Sequence, residues 1–333
     1  MRPILAISLG DPAGISPEIV ARSVVTACQV SRPIIFGHWG SFQPHFESLH
    51  DCPDILVGDD FQLAEEKIQF VRCGKGERAI DAPGERAAAC QFEALERAVN
   101  AVVDGRCSGI VTGPVSKSLI ATVSAGFRGH TEYLARRVGV SPREVTMIFA
   151  SEKLAVGLVA THVPMKDVPA TITPRSLSRT VRHLAELSRA LRPDKRPRIA
   201  VAALNPHGGE NGLIGREEHD IIGPFCESNR ESDLAQIVGP IPADTLFRQA
   251  LEGKYEGVVS VYHDQALIPL RLHGVGKMVN VTMGLPFVRT SPDHGVAYDI
   301  AGKNLVNPAG MQLAIKLAAR LSVWKKNELG HSN

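Results

Sequence analysis

The sequence predicts an α/β protein built from two lobes. Short apolar runs of strand composition alternate with amphipathic stretches along the whole chain, the pattern of a largely parallel sheet covered by helices. With 333 residues, 44% hydrophobic and 22% charged, the chain has the material to bury two such cores. No internal repeat, low-complexity tract or long linker interrupts the alternation. The lobes are therefore expected to be intertwined, the first from residues 1–125 plus 288–333 and the second from 126–287.

Ile4 to Leu9 is an apolar run closed by Gly-Asp-Pro, and it reads as the first strand. GDPAGISPEIV then turns into a helix. Ser16 is expected at its N-cap, Pro17 in the first helical position and Glu18 in the first turn, all residue types that suit a helix start. Ala88, Phe92, Leu95, Val99 and Val102 recur at three and four residues, so Arg86 to Asp104 is expected to form an amphipathic helix. It feeds the strand GIVT and the loop GPVSK. Thr131 to Val138 reads as a helix, followed by strands at Thr146 to Phe149 and Leu154 to Ala160. After Thr173 and Pro174, the residues Leu177, Val181, Leu184 and Leu191 share one helix face. Further strands are expected at Arg198 to Leu204, Gly257 to Tyr262 and Val279 to Thr282, with a last helix at Gly310 to Leu321.

Charge and cysteine usage exclude several classes. The net charge is +2 and no Lys/Arg run exceeds two residues, so nucleic acid is not an expected partner; Lys195, Arg196 and Arg198 read as a solvated loop face. Six scattered cysteines (Cys28, Cys52, Cys73, Cys90, Cys107, Cys226) form no CxxC pair and read as reduced thiols. No stretch approaches the roughly 18 apolar residues of a membrane span, and the first apolar run is too short for a signal peptide. The expectation is a cytoplasmic protein with no membrane partner.

Three histidines carry most of the chemical information: His162 in THVPMKDV, His207 in NPHGGENG and His263 in YHDQ. Each follows an apolar strand-like run (LAVGLVA, RIAVAAL, GVVSVY), the place where open α/β sheets put their ligands. Three neutral imidazoles with open positions suit a catalytic divalent metal. No two are spaced as a ligand pair, and each taken singly fits an ordinary loop histidine. GDPAGISPE and NPHGGENGLIG are glycine-rich loops that suit either phosphate approach or tight turns, and neither matches a dinucleotide or P-loop spacing. His130 and Thr131 in GHTE stand at a helix start, a place suited to an anion. Arg289, followed by Thr290 and Ser291, reads equally as an oxyanion clamp or a structural ion pair. No GxSxG elbow and no reactive-cysteine signature is present, so nucleophilic catalysis is not expected.

Taken in order, GDPAGISPEI, GPVSK, GHTEYLA, HVPMKDV, LNPHGGENGLIGREE, GPIPADTLF and VYHDQALIPLRLHGVGKMVNVTMGLPFVRTSPDHGVAYDIAGK resemble the 4-hydroxythreonine-4-phosphate dehydrogenase family of vitamin B6 biosynthesis. The similarity runs from about residue 4 to about residue 320. It implies two intertwined α/β/α lobes of the isocitrate/isopropylmalate dehydrogenase type, a homodimer, and an active site in the cleft between lobes. It implies one divalent metal per site (zinc, magnesium or cobalt) on His162, His207 and His263, with His263 given by the partner subunit. His130, Thr131, Arg271, Asn280 and Arg289 are the implied substrate contacts. The family reaction oxidises the 3-hydroxyl of 4-phosphooxy-L-threonine with a nicotinamide cofactor and releases CO₂, giving 3-amino-2-oxopropyl phosphate. Asp244 in PADT and Asp264 in HDQ lie near the proposed metal, and either suits orienting a ligand or moving the hydroxyl proton.

Two positions depart from the family pattern. Ser16 replaces the usual Gly, and Arg271 replaces the usual Lys, keeping the positive charge with a different reach. The Arg leaves open a paralogue acting on a four-carbon sugar-acid phosphate such as D-erythronate or D-threonate 4-phosphate; other branches oxidise dihydrodiols of aromatic acids. A three-histidine metal hydrolase and a silent binding protein are the readings from other classes. DHGVAYDIAGKNLVNP also resembles the adenosine-binding loop of isopropylmalate dehydrogenases, matched by His294, Gly295, Ala297, Asp299, Ile300 and Asn307. A carboxylate at Asp299 pairs with ribose hydroxyls and repels a 2′-phosphate, so NAD is the expected cofactor. A capped turn before the last helix is the structural alternative.

Overall fold

The computed structural model describes residues 2–49, 53–61, 67–151, 154–274 and 278–331; Cys52 lies outside them. Twelve strands are present among these residues: β1 (Ile4–Ser8), β2 (Arg32–Gly37), β3 (Ile55–Gly58), β4 (Ile68–Arg72), β5 (Gly109–Thr112), β6 (Thr146–Ala150), β7 (Ala155–Leu158), β8 (Arg198–Ala202), β9 (Gln236–Ile241), β10 (Gly257–Ser260), β11 (Val279–Met283) and β12 (Val288–Pro292). The chain groups into two compact units, residues 1–142 with 285–333, and residues 143–284, the second inserted in the first. The helix carrying His130 and Thr131 groups with the first unit.

In the first unit the strand order is β3-β4-β2-β1-β5-β12, and every pairing is parallel. Parallel strands buried on both faces carry near-continuous apolar runs, and Leu5, Ile7, Ile35, Phe70 and Ile110 are all fully enclosed. The helix Glu85–Val103 covers this sheet through Ala88, Leu95 and Val99, which are buried, one residue from the boundaries its periodicity predicts. Phe92 turns instead toward Phe127 and Tyr133, with ring centroids 6.4 and 5.8 Å away.

One expectation here is corrected. The helix Ser16–Ala21 has Ile15, not Ser16, at its N-cap, with no side-chain cap hydrogen bond. The Ser16 hydroxyl is fully buried and donates to the Pro114 carbonyl at 3.0 Å, so it ties this turn to the GPVSK loop rather than capping its own helix.

In the second unit the order is β11-β6-β7-β10-β8-β9. Pairings β11·β6 and β6·β7 are antiparallel, and β7·β10, β10·β8 and β8·β9 are parallel. Phe149, Val156, Leu158, Leu246, Phe247 and Val258 form its core on one face. On the other face lies the helix Pro174–Leu191, started by Thr173 in a reciprocal capping box with Ser176, and Leu177, Val181, Leu184 and Leu191 are buried as their spacing predicts. No described helix is long and apolar enough to cross a membrane. Cys28, Cys73, Cys90, Cys107 and Cys226 are free thiols. Burial holds the Cys73, Cys107 and Cys226 thiols up at about 12.

Candidate active site

In the first unit, strand ends bring basic groups together. β5 finishes at the buried Thr112, β12 carries Arg289, and the helix His130–Arg137 begins at His130 after the extended Gly129. Arg289 is only 4% exposed and donates from Nη2 to the Thr112 hydroxyl at 2.9 Å. Burial pulls its guanidinium down to about 10, partly offset by Glu132, so it remains a cation at neutral pH. The ring nitrogen Nε2 of His130 is buried with no hydrogen-bond partner among the described residues. Burial first, and then the charges of Arg289 and Lys117, hold His130 well below the ordinary histidine range, so its ring is neutral. An enclosed cation beside a neutral ring with an unmet polar atom suits an anionic ligand. Thr131, half-buried, follows His130 in the same first turn. Lys117 and Thr112 escaped sequence reasoning, because nothing local in GIVT or GPVSK announces that Thr112 meets Arg289 or that Lys117 approaches His130.

In the second unit, the loops after β7, β8 and β10 carry the three histidines. His162 and His263 meet, with ring centroids 5.6 Å apart. His263 opens the helix His263–His273, and its Nδ1 lies 2.7 Å from Asp264 Oδ1. Asp264 therefore occupies Nδ1 and leaves Nε2 as the ring nitrogen open to another partner. His207 is exposed in a loop where His207 to Asn211 are all left-handed, His207 at φ 54°. It is not gathered with the other two: among the described residues, no group of three His, Cys, Asp or Glu is close enough to hold a metal ion. The donor set nonetheless fits a divalent ion once a third ligand is supplied.

The His207 loop is held by a residue that sequence reading missed. Glu218 is 5% exposed and accepts from the Leu204 and Asn205 amides at 2.6 and 2.8 Å and from Asn205 Nδ2 at 2.8 Å. It begins a π-helical turn, Glu218–Ile222, and a Cβ on Gly209 would stand 2.8 Å from its Oε2. Asp244 is exposed in the first turn of the helix Ala243–Leu251 and accepts from the Thr245 amide at 2.8 Å. Arg271 is exposed in the last turn of the His263–His273 helix, and Asn280 is half-buried in β11.

The loop 293–307 returns to the first unit. Ala297 and Asn304 take left-handed conformations at φ 43° and 58°, and Asp299 is exposed between them. Gly295 is exposed and its carbonyl lies 3.3 Å from His294 Nδ1, while His294 Nε2 is buried without a hydrogen-bond partner among the described residues. Burial holds His294 below the ordinary histidine range. Asn307 Oδ1 accepts from the Ala309 amide at 3.0 Å, so its side chain caps the helix Ala309–His331. An exposed carboxylate on a bent loop that also carries an imidazole with an unmet nitrogen suits the adenosine end of a nicotinamide cofactor.

With this geometry in place, comparison with known proteins is decisive. Residues 29–318 match the family described as pyridoxal phosphate biosynthetic protein PdxA. The chain belongs to this family. A PdxA relative named 4-hydroxythreonine-4-phosphate dehydrogenase, from Bradyrhizobium diazoefficiens, is 38% identical, the match covering 96% of this chain and 97% of the relative. The crystal structure of a protein of that name from Klebsiella pneumoniae superposes with a TM-score of 0.78 at 30% identity, over 96% of this chain and 100% of that one. A terephthalate 1,2-cis-dihydrodiol dehydrogenase from Burkholderia xenovorans LB400, 24% identical, shares the fold with a TM-score of 0.67. This PdxA-family member is accordingly an α/β oxidoreductase, and its family of dehydrogenases implies a nicotinamide cofactor.

Proposed function

We propose that this enzyme oxidises 4-phosphooxy-L-threonine with NAD and releases CO₂, giving 3-amino-2-oxopropyl phosphate for pyridoxal phosphate synthesis. The observation that carries the reading is the buried Arg289 cation beside the neutral, buried His130 ring, a pair suited to an anionic substrate and found in a chain 38% identical to a protein named for this dehydrogenation. Arg289 and His130, with Thr131, Asn280 and Arg271, bind the phosphate and carboxylate and so fix which face of the 3-carbon meets the nicotinamide. Hydride leaves that carbon for the cofactor as the hydroxyl proton passes to a carboxylate, Asp244 or Asp264. The resulting 3-keto acid breaks its bond to the carboxylate, and the electron pair left on carbon is then protonated. His162, His207 and His263 would hold a divalent ion, zinc, magnesium or cobalt, which when bound supplies Lewis-acid polarisation of the substrate's oxygens. His294, Gly295, Ala297, Asp299 and Asn307 would hold the cofactor.

A homodimer with a shared site accompanies this reading. Leu213 (88% exposed), Leu272 (83%), Ile268 and Met165 (both 61%) crowd the loops and helix that carry the three histidines, an apolar surface suited to a second copy.

Arg271 supports a second reading, a paralogue acting on D-erythronate or D-threonate 4-phosphate. A substrate panel followed for both NADH and CO₂ tests the two. Turnover of 4-phosphooxy-L-threonine with equal NADH and CO₂ is expected; activity confined to a sugar-acid phosphate would replace the first reading with the second.

A further inference from the structure

We infer that Tyr298 is a positioning residue for cofactor binding: its phenol, anchored on the buried Asp11 carboxylate, fixes the neighbouring Asp299 where the adenosine ribose is met. The inference rests on the proposed role of the 293–307 loop. Asp11 is fully enclosed, and its two oxygens are spoken for. Oδ1 accepts from the Ala13 amide at 3.0 Å, and Oδ2 accepts from Gln91 Nε2 at 3.3 Å and from the Tyr298 hydroxyl at 2.6 Å. Gln91 is itself buried and accepts from the Ser116 amide at 2.9 Å, so the carboxylate cannot follow the loop if the loop moves. Burial and Asp11 together push the phenol up to about 12, which keeps it a proton donor at neutral pH.

The anchor has work to do because Ala297, just before Tyr298, is left-handed, a conformation that costs a residue with a Cβ and persists only when its surroundings hold it. Further ties flank it. The Ile15 amide donates to the Val296 carbonyl at 3.0 Å, and a Cβ on Gly14 would meet that carbonyl at 2.6 Å, so only glycine allows the approach. Farther along, Arg22 reaches Asn304 Oδ1 at 3.3 Å and the Val306 carbonyl at 3.4 Å, and is itself paired with Glu18 at 3.0 Å. Asp299 thus lies between two tethers on a loop otherwise open to solvent.

The test is Tyr298→Phe in the metal-loaded enzyme, with NAD and NADH titrated by calorimetry and by quenching of intrinsic fluorescence. Loss of a hydrogen bond to a charged group predicts that the Kd and KM for NAD rise about tenfold. The kcat, the substrate KM and the thermal midpoint should stay within about twofold or a few degrees, and the preference for NAD over NADP should narrow. A Tyr298→Phe enzyme that binds NAD like the parent, while Asp299→Asn binds it weakly, would overturn the inference and leave the loop as the cofactor site. If Asp299→Asn also leaves NAD affinity unchanged, the reading of the loop itself fails, and the inference with it.

Discussion

At Arg289 a guanidinium has been taken almost wholly out of water, with Thr112 as a neutral partner, and a cation so placed gains most when an anion arrives. Hydrogen bonds to charged groups are worth about 1.5–3 kcal/mol each, so Arg289→Ala should lower kcat/KM by at least about tenfold, measured on the preferred substrate. Unchanged kcat/KM would make Arg289 structural. Arg271 asks a different question because it is exposed and stands where the family resemblance leads one to expect a lysine. Arg271→Lys should raise activity on 4-phosphooxy-L-threonine if the enzyme has drifted toward another substrate, and lower it if the guanidinium has been adapted to this one. The histidine loops carry a third expectation: His162→Ala, His207→Ala and His263→Ala should each abolish turnover with the fold intact, since His162 and His207 are exposed and His263 is only partly buried. Full activity after chelation to near-zero metal content would remove the metal from the account.

At the scale of elements, two groups tie a helix to what it supports. Glu218 closes the His207 loop through three hydrogen bonds, so Glu218→Ala should cost about 3 kcal/mol or more in urea unfolding and weaken divalent-metal binding even where the fold persists. His183, on the buried face of Pro174–Leu191, meets the Thr146 hydroxyl at 2.8 Å, and burial and then the charges of Arg182 and Arg179 hold it down at about 4. Between pH 6.5 and 4 the unfolded chain takes up a proton that the folded chain refuses, so the stability from neutral His183 is complete above 6.5 and lost as pH falls toward 4. That loss is on the order of 3 kcal/mol, and His183→Gln should flatten this part of the stability–pH curve. Elements such as these show what a sequence exposes. Glu85–Val103 and Pro174–Leu191 were legible because a half-buried helix prints its period on the chain. β2, β3, β4, β9 and β12 were not anticipated: a short strand buried on both faces has no period to read, and β3 and β9 sit at sheet edges with mixed burial. The helix His263–His273 was hidden by Pro269 in its interior. The histidines and Arg289 stood out through their phrases, whereas Glu218 and Asp11 did not, because burial of a carboxylate in a polar run is decided by tertiary partners.

For the whole molecule, the decisive question is which chain completes the metal site. His162 and His263 lie side by side in one chain, while His207, the third expected ligand, is not gathered with them among the described residues. The exposed Leu213 follows the His207 loop, and Ile268 and Leu272 lie on the helix that His263 opens, so a second copy covering this apolar surface would bring histidine loops of two chains together. Burial of that surface favours association without a charge requirement, in keeping with a net charge of only +2. If His263 serves the partner's site, then in a heterodimer of His162→Ala and His263→Ala subunits one of the two sites keeps all three native histidines and the other lacks two. Mixed dimers, separated by differential tags, should therefore recover about half the parental kcat per dimer from two inactive preparations. A demonstrated heterodimer with no activity would place His162 and His263 of one chain in the same site, completed either by closure of that chain's own His207 loop or by His207 of the second copy.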